Sequence, residues 1–183
     1  MDIEIKTINE IELAELWEIL EKKFNIDLKK DFSNKNVEGW LSHFMPNERI
    51  DIHQFGKDTT GKRGKGKKIK IYTGNLFSSL IKGRIPAKTM AKIVFKRLAK
   101  QNFNYSEVEL LGIQKNNIFE NQIIAYFRYK RFNTSGNIFE SAIGIYNLTE
   151  INEKFYINKV SIYDDNDEAI SKIDLSQMWH PKK

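Results

Sequence analysis

The sequence contains no cysteine, which excludes disulfide bonds and zinc sites built on thiolates. It has only three prolines, and 40% of its 183 residues are hydrophobic, a composition typical of a globular chain. No apolar run approaches the roughly 18 residues that a membrane span requires, and Met1-Asp2-Ile3-Glu4 does not begin a signal peptide. We therefore expect a soluble, cytoplasmic protein that forms one domain over residues 1–183 and makes no contact with a membrane.

Histidine is also scarce, and the three that occur are His43, His53 and His180. They share no spacing that would cluster them, and Asp51 with His53 supplies two ligands where a metal ion needs three or four. Gly56–Arg63 (GKDTTGKR) approaches the phosphate-binding loop pattern, but Arg63 replaces the required serine or threonine and no helix pattern follows it. We therefore predict no metal site and no cofactor.

Acidic residues are almost absent between residues 56 and 100, where 14 lysines and arginines accompany one acid, Asp58, for a charge of +13. The remaining 16 basic and 23 acidic residues give −7. The glycine-rich stretch 56–68 is predicted to be a mobile loop, with these candidate anion-binding cations: Lys62, Arg63, Lys65, Lys67 and Lys68. A nearby helix face could add Lys88, Lys92 and Lys96. A solvated surface loop is an equal alternative, and aromatic residues for base stacking are missing.

Apolar periodicity predicts the order of the elements. Leu13, Leu16, Leu20 and Phe24 form one helical stripe that should end near Asn25, and a second helix should carry Val37, Leu41 and Phe44. The predicted organisation is helices over 8–45, strands over 49–73 around the basic loop, helices over 74–101, a long antiparallel sheet over 106–163 and an acidic, docked tail over 164–183.

The best-patterned stretch contains four consecutive strands: Val108–Lys115, Gln122–Phe132, Asn137–Leu148 and Lys154–Tyr163. They predict one curved antiparallel sheet with helices against one face. We expect an apolar pocket on that face, lined by Trp17, Trp40, Phe127, Tyr129, Glu140 and Tyr146. Ordinary core packing is the alternative for these side chains. Glu140 is expected to pair across the sheet with Arg128 or Lys130.

Asp51 and His53 are two residues apart on a predicted strand, so both side chains share a face. A carboxylate and an imidazole on one pocket wall could work as a general acid and base. The alternative is that Ile50 and Ile52 face the core, which would leave Asp51 and His53 in solvent.

This order of elements resembles the nuclear transport factor two-like superfamily, and within it the SnoaL-like branch. Trp40–Phe55 (WLSHFMPNERIDIHQF) is similar to the family's passage from its second helix into its first strand. Tyr72-Thr73-Gly74, followed by Leu76, Phe77 and Leu80, resembles the family's glycine and short helix. Its last hairpin resembles Gly136–Leu148 with Phe155-Tyr156-Ile157 and Val160. The resemblance covers most of Leu13–Tyr163.

The resemblance implies an α+β fold in which a cone-shaped, cystatin-like sheet wraps around N-terminal helices and encloses a pocket, and it implies a homodimer. It also implies binding, or cofactor-free acid/base turnover, of a small hydrophobic compound. For turnover, we expect Asp51 or His53 as the base and Tyr129 as the residue that orients the substrate. Isomerase members carry a carboxylate where this sequence has Ile52. The alternative function is a non-catalytic module that binds an anionic macromolecule, such as a nucleic acid, through residues 56–100.

Overall fold

The structure is a computed structural model that describes residues 10–57, 63–74, 85–115, 121–166 and 178–181. Its helices are α1 (Glu10–Lys22), α2 (Lys29–Ser33), α3 (Val37–Ser42) and α4 (Ala87–Lys100), with a π-helical segment, Lys23–Leu28, between α1 and α2. Its strands are β1 (Arg49–Lys57), β2 (Arg63–Tyr72), β3 (Ile85–Pro86), β4 (Phe103–Lys115), β5 (Gln122–Asn133), β6 (Ile138–Ile151) and β7 (Lys154–Asp164). The predicted α+β architecture is confirmed.

The first helical region is longer than expected. A helix end near Asn25 was wrong, because the chain stays helical through the π-helical segment and α2 to Ser33. The wider π turns keep Phe24, Leu28 and Phe32 packed against the rest of the protein. Lys35, with a φ of 54°, then reverses the chain, and Asn36 caps α3 by accepting a hydrogen bond from the backbone N–H of Gly39 at 3.1 Å.

The seven described strands form one sheet in the order β3-β2-β1-β7-β6-β5-β4. The four long strands pair antiparallel, as predicted. The sheet as a whole is mixed, because β1 lies parallel to β7 and β3 lies parallel to β2. The parallel pairing of β1 places the N-terminal half of the chain next to the last strand.

The expected loop over 56–68 was wrong for most of its length. β1 continues to Lys57 and β2 begins at Arg63, and the backbones of Gly56 and Gly64 pair with each other after an irregularity at Gln54. Hydrogen bonds to β1 pair the backbone N–H and C=O groups of this stretch, whatever its side chains are. The glycines therefore do not prevent a strand here. Residues 58–62 lie outside the described residues, as do residues 75–84 of the helical region predicted over 74–101.

The core lies between one face of the sheet and the N-terminal helices. Leu20 and Phe24 from the helices pack in one cluster with Ile50, Leu148 and Ile157 from the strands, all fully buried. The end of the chain docks here too, since Trp179 exchanges backbone hydrogen bonds with Ile113 of β4. None of the helices within the described residues has the length and apolarity needed to cross a membrane.

Candidate ligand site

The helix-covered face of the sheet changes character along its strands. At one end it is aliphatic, and at the other it carries polar side chains from three neighbouring strands. Alternation along β5 puts Phe127, Tyr129 and Arg131 on this face. The register places Arg131 directly opposite Glu140 of β6 and Ser106 of β4. These polar residues, with Tyr146 of β6, form what we call the polar end of the site.

Arg131 is the centre of the polar end. Its Nη1 donates a hydrogen bond to the Glu140 carboxylate. Its guanidinium lies over the rings of Tyr129, at 4.7 Å, and of Phe32, at 5.0 Å, so it contacts both the sheet and the helical cover. Burial alone would lower the pKa of Arg131, but its neighbours Tyr129 and Glu140 hold that pKa above its usual value. The guanidinium is therefore charged.

Two polar atoms at this end are buried without a hydrogen-bond partner: Nε of Arg131 and Oγ of Ser106. Leaving a buried donor or acceptor unpaired costs about 1–3 kcal/mol, and native proteins rarely tolerate it. Both atoms belong to residues that face each other across β4 and β5. The site therefore holds unused hydrogen-bonding capacity beside a cation.

The two tyrosines are donors of the same site. Burial raises the pKa of both Tyr129 and Tyr146, so their hydroxyls remain protonated at neutral pH. The Tyr146 ring lies over Gly144 and meets the Phe24 ring edge-on at 5.1 Å. A Cβ on Gly144 would approach that ring to 2.5 Å, so glycine is what allows the ring to lie along the strand.

The polar end is enclosed by the protein without being sealed. Although neighbouring atoms surround Arg131, its side chain keeps 18% of its surface accessible, and Glu140 keeps 34%. Tyr146 and Ile162, on the same face of the sheet, are also only half-buried. We call this partly accessible place, where Tyr129 and Tyr146 lie beside Arg131 and Glu140, the recess.

Four of the six predicted pocket residues lie on this face: Phe127, Tyr129, Glu140 and Tyr146. The two tryptophans lie on the helical layer and pack against the core cluster that contains Phe127. Trp17 packs edge-on against Trp179 at 5.9 Å, and Trp40 packs among Phe32, Phe44 and Phe95.

The expected partner of Glu140 was wrong. Arg128 and Lys130 occupy even positions of β5 and face the other side of the sheet, where Arg128 pairs with Glu109 and Asp165. Arg131 is the partner. The face on which Arg131 lies could have been predicted from the sequence, because Arg131 follows Tyr129 at the two-residue spacing that defines this face.

Asp51 and His53 lie on the outer face of β1, since Ile50 points into the core. Arg49 donates two hydrogen bonds of 2.6 Å to the Asp51 carboxylate and thereby lowers its pKa. Burial and the nearby Lys68 and Lys159 lower the pKa of His53. Neither side chain therefore lies on the face of the sheet that carries Tyr129 and Arg131.

The structure describes only some of the candidate anion-binding cations. Lys62 lies outside the described residues, as do the side chains of Arg63, Lys65 and Lys67, whose backbones belong to β2. Lys68 is exposed and lies opposite His53, and Lys70 is exposed opposite Asp51. On the other side of β1, the exposed Lys159 of β7 also lies opposite Asp51.

A groove of about 750 Å³ lies elsewhere, between α3 and the start of α4. Glu38 and Lys88 line it and form an ion pair, but their side chains remain 71% and 59% exposed. Such exposed pairs contribute little free energy. Within the described residues, no group of three or more His, Asp and Glu side chains could hold a metal ion.

No protein-family model and no curated protein sequence matches the chain. Solved structures do match it. An NTF-2 like protein of unknown function from Shewanella oneidensis gives a TM-score of 0.53 at 8% identity, covering 82% of this chain and 98% of that one. A domain of unknown function with a cystatin-like fold from Nostoc punctiforme gives 0.54 at 10% identity, covering 87% and 88%. The chain has the nuclear transport factor two-like fold.

Further proteins share the nuclear transport factor two-like fold with this chain. Aln2 from a Streptomyces species gives a TM-score of 0.53 at 8% identity, covering 87% of this chain and 96% of that one. The predicted fold resemblance is therefore confirmed. Identities of this size show the fold alone, so a function has to be argued from the recess itself.

Proposed function

We propose that the protein binds a small, largely hydrophobic molecule in the recess, with an acceptor oxygen of that molecule directed at the polar end. The observation that carries this proposal is the convergence of Arg131, Tyr129 and Tyr146 on one partly accessible place inside an otherwise apolar face. An apolar wall supplies affinity through buried area, and a few placed donors fix the orientation of the ligand.

A carbonyl or carboxylate oxygen suits this donor set. Arg131 is charged and retains an unpaired Nε, and both tyrosine hydroxyls hold their protons at neutral pH. Binding is better supported than turnover, because the carboxylate nearest these donors, Glu140, is already engaged by Arg131. A general base needs a carboxylate free to take a proton.

Calorimetric titration with 2-naphthoate, an aromatic ring system with one carboxylate, tests the proposal. We expect Tyr129→Phe to weaken binding about tenfold, the loss of roughly 1.4 kcal/mol that one hydrogen bond to a charged group contributes. Tyr126→Phe is the matched control, because Tyr126 is equally buried, at 7% exposure, on the other face of β5. Equal effects of the two substitutions would refute a ligand site at the polar end.

A second candidate function is binding of a polyanion on the outer face of the sheet. It is supported by the alignment of three exposed lysines, Lys68, Lys70 and Lys159, across β2, β1 and β7. Lys70 and Lys159 lie on either side of Asp51, two strand spacings or about 9.6 Å apart, a distance that a phosphate or sulfate backbone could span.

Heparin chromatography tests this second candidate. Replacing all three lysines of the patch with serine should lower the salt concentration needed for elution. The control replaces Lys22, Lys30 and Lys154, which are also exposed but lie outside residues 56–100, and so removes the same charge elsewhere. If both triple variants elute alike, the outer face has no special role and only net charge matters.

A further inference from the structure

A second polar cluster lies on the helical layer and takes no part in the recess. Nζ of Lys23 is 3.2 Å from Nδ1 of His43, and Nε2 of His43 is 3.0 Å from Oδ2 of Asp31. Lys23 begins the π-helical segment and Asp31 lies in α2, so His43 joins the two ends of that segment. We refer to Asp31, His43 and Lys23 as the lysine relay.

The relay has a defined direction. Asn36 donates a hydrogen bond of 2.9 Å to Oδ1 of Asp31, and Asn36 is itself held as the cap of α3. The fixed carboxylate is an acceptor only, so Nε2 of His43 must be its donor. Nδ1 of the neutral imidazole is then an acceptor aimed at the amine of Lys23. This is the order of carboxylate, imidazole and nucleophile that activates a nucleophile.

The surroundings of the relay favour uncharged forms of its two bases. Burial lowers the pKa of Lys23 to about 8, against an opposing influence from the Asp27 carboxylate. Burial also lowers the pKa of His43, although the hydrogen bond to Asp31 acts in the other direction. At pH 7 about 9% of Lys23 is free amine, compared with about 0.04% of a lysine whose pKa is 10.4. Lys23 is nevertheless only partly buried, so a small reagent can reach it.

We propose that Lys23 is a nucleophilic amine that forms an imine with a small aldehyde, and that His43, oriented by Asp31, accepts the proton of its ammonium group. The free amine then attacks the carbonyl carbon, and the proton held by His43 passes to the carbonyl oxygen to give a carbinolamine. Loss of water leaves the protonated imine. One ammonium ion and one aldehyde thus give one iminium ion and one water, and no oxidant or reductant is consumed.

Reductive trapping of the 183-residue chain tests this proposal. The protein is treated briefly at pH 7 with propionaldehyde and cyanoborohydride, and alkylated lysines are quantified by peptide mass spectrometry. The exposed Lys92 and Lys96 serve as internal references. The larger fraction of free amine increases the alkylation rate of Lys23 about 200-fold relative to the references. A weaker base is also a weaker nucleophile, and by analogy with thiols this lowers the rate of Lys23 about tenfold. We expect Lys23 to react about 20-fold faster than either reference.

Two variants separate activation by the relay from simple exposure. Asp31→Asn keeps the shape of the side chain but removes the charge that orients His43. His43→Gln removes the base itself. Each substitution should slow the alkylation of Lys23 at least fivefold relative to that of Lys92. Circular dichroism checks that both variants fold. If neither variant folds, the unsubstituted protein still tests the proposal. Alkylation of its Lys23 no faster than that of Lys92 and Lys96 overturns the proposal. A fast reaction that both folded variants retain also overturns it.

Discussion

The substitution Glu140→Gln tests how the polar end is held together. It keeps the size of the side chain but removes the counter-charge of Arg131, whose guanidinium stays between the rings of Phe32 and Tyr129. Removing one partner of a fully buried ion pair costs about 3–5 kcal/mol. Here Arg131 is 18% and Glu140 is 34% exposed, so solvent screening reduces the expected cost to about 2 kcal/mol.

For a chain of 183 residues, a loss of this size lowers the melting temperature by about 4–8 °C. Urea unfolding followed by tryptophan fluorescence gives the free energy directly. Glu38→Gln is the matched control, because the pair of Glu38 with Lys88 is mostly exposed and should be worth less than about 0.5 kcal/mol. If the two variants lose the same stability, Arg131 and Glu140 are an ordinary surface pair and the enclosed recess does not exist.

Three further predictions concern the same elements. Gly144→Ala should displace the Tyr146 ring and cost about 1–3 kcal/mol, with a changed near-ultraviolet circular dichroism spectrum that an unmoved ring would not give. Gly39→Ala should destabilise the protein although alanine favours helices, because its Cβ would lie 2.3 Å from the Asp31 carboxylate; a gain in melting temperature would contradict this. Because folding raises the pKa of Tyr129, stability should fall above about pH 10, and Tyr129→Phe should flatten that fall in a pH series of urea titrations.

The long strands were predictable because their alternation is strong. The two-residue period places Phe127 and Tyr129 on one face whatever the rest of the chain does, and the observed β5 differs from the expected strand only by its last residue, Asn133. The set of residues that forms the polar end was harder to predict from the sequence. It depends on the register that sets Arg131 against both Glu140 and Ser106, and no single strand contains that information.

The errors have local physical causes. The stretch around Gly64 has the composition of a loop, yet it is a strand, because pairing with β1 supplies backbone hydrogen bonds that intrinsic propensity does not report. The first helical region continues past Asn25 because a π-helical segment breaks the 3.6-residue period on which the expected end depended. Alternation alone does not say which face of β1 is buried. The burial of Ile50 in the core shows that Asp51 lies on the outer face.

The most direct test of the ligand site is a set of intermolecular nuclear Overhauser effects between 2-naphthoate and the isotope-labelled protein. A ligand in the recess must bring its ring protons within about 5 Å of Tyr129, which lies against Arg131, and of Tyr146 and Phe127, whose rings are 5.6 Å apart. We predict contacts to these three side chains. Contacts instead to Tyr126 and Ile143, on the other face of the sheet, would contradict the site, as would the absence of binding at about 1 mM naphthoate.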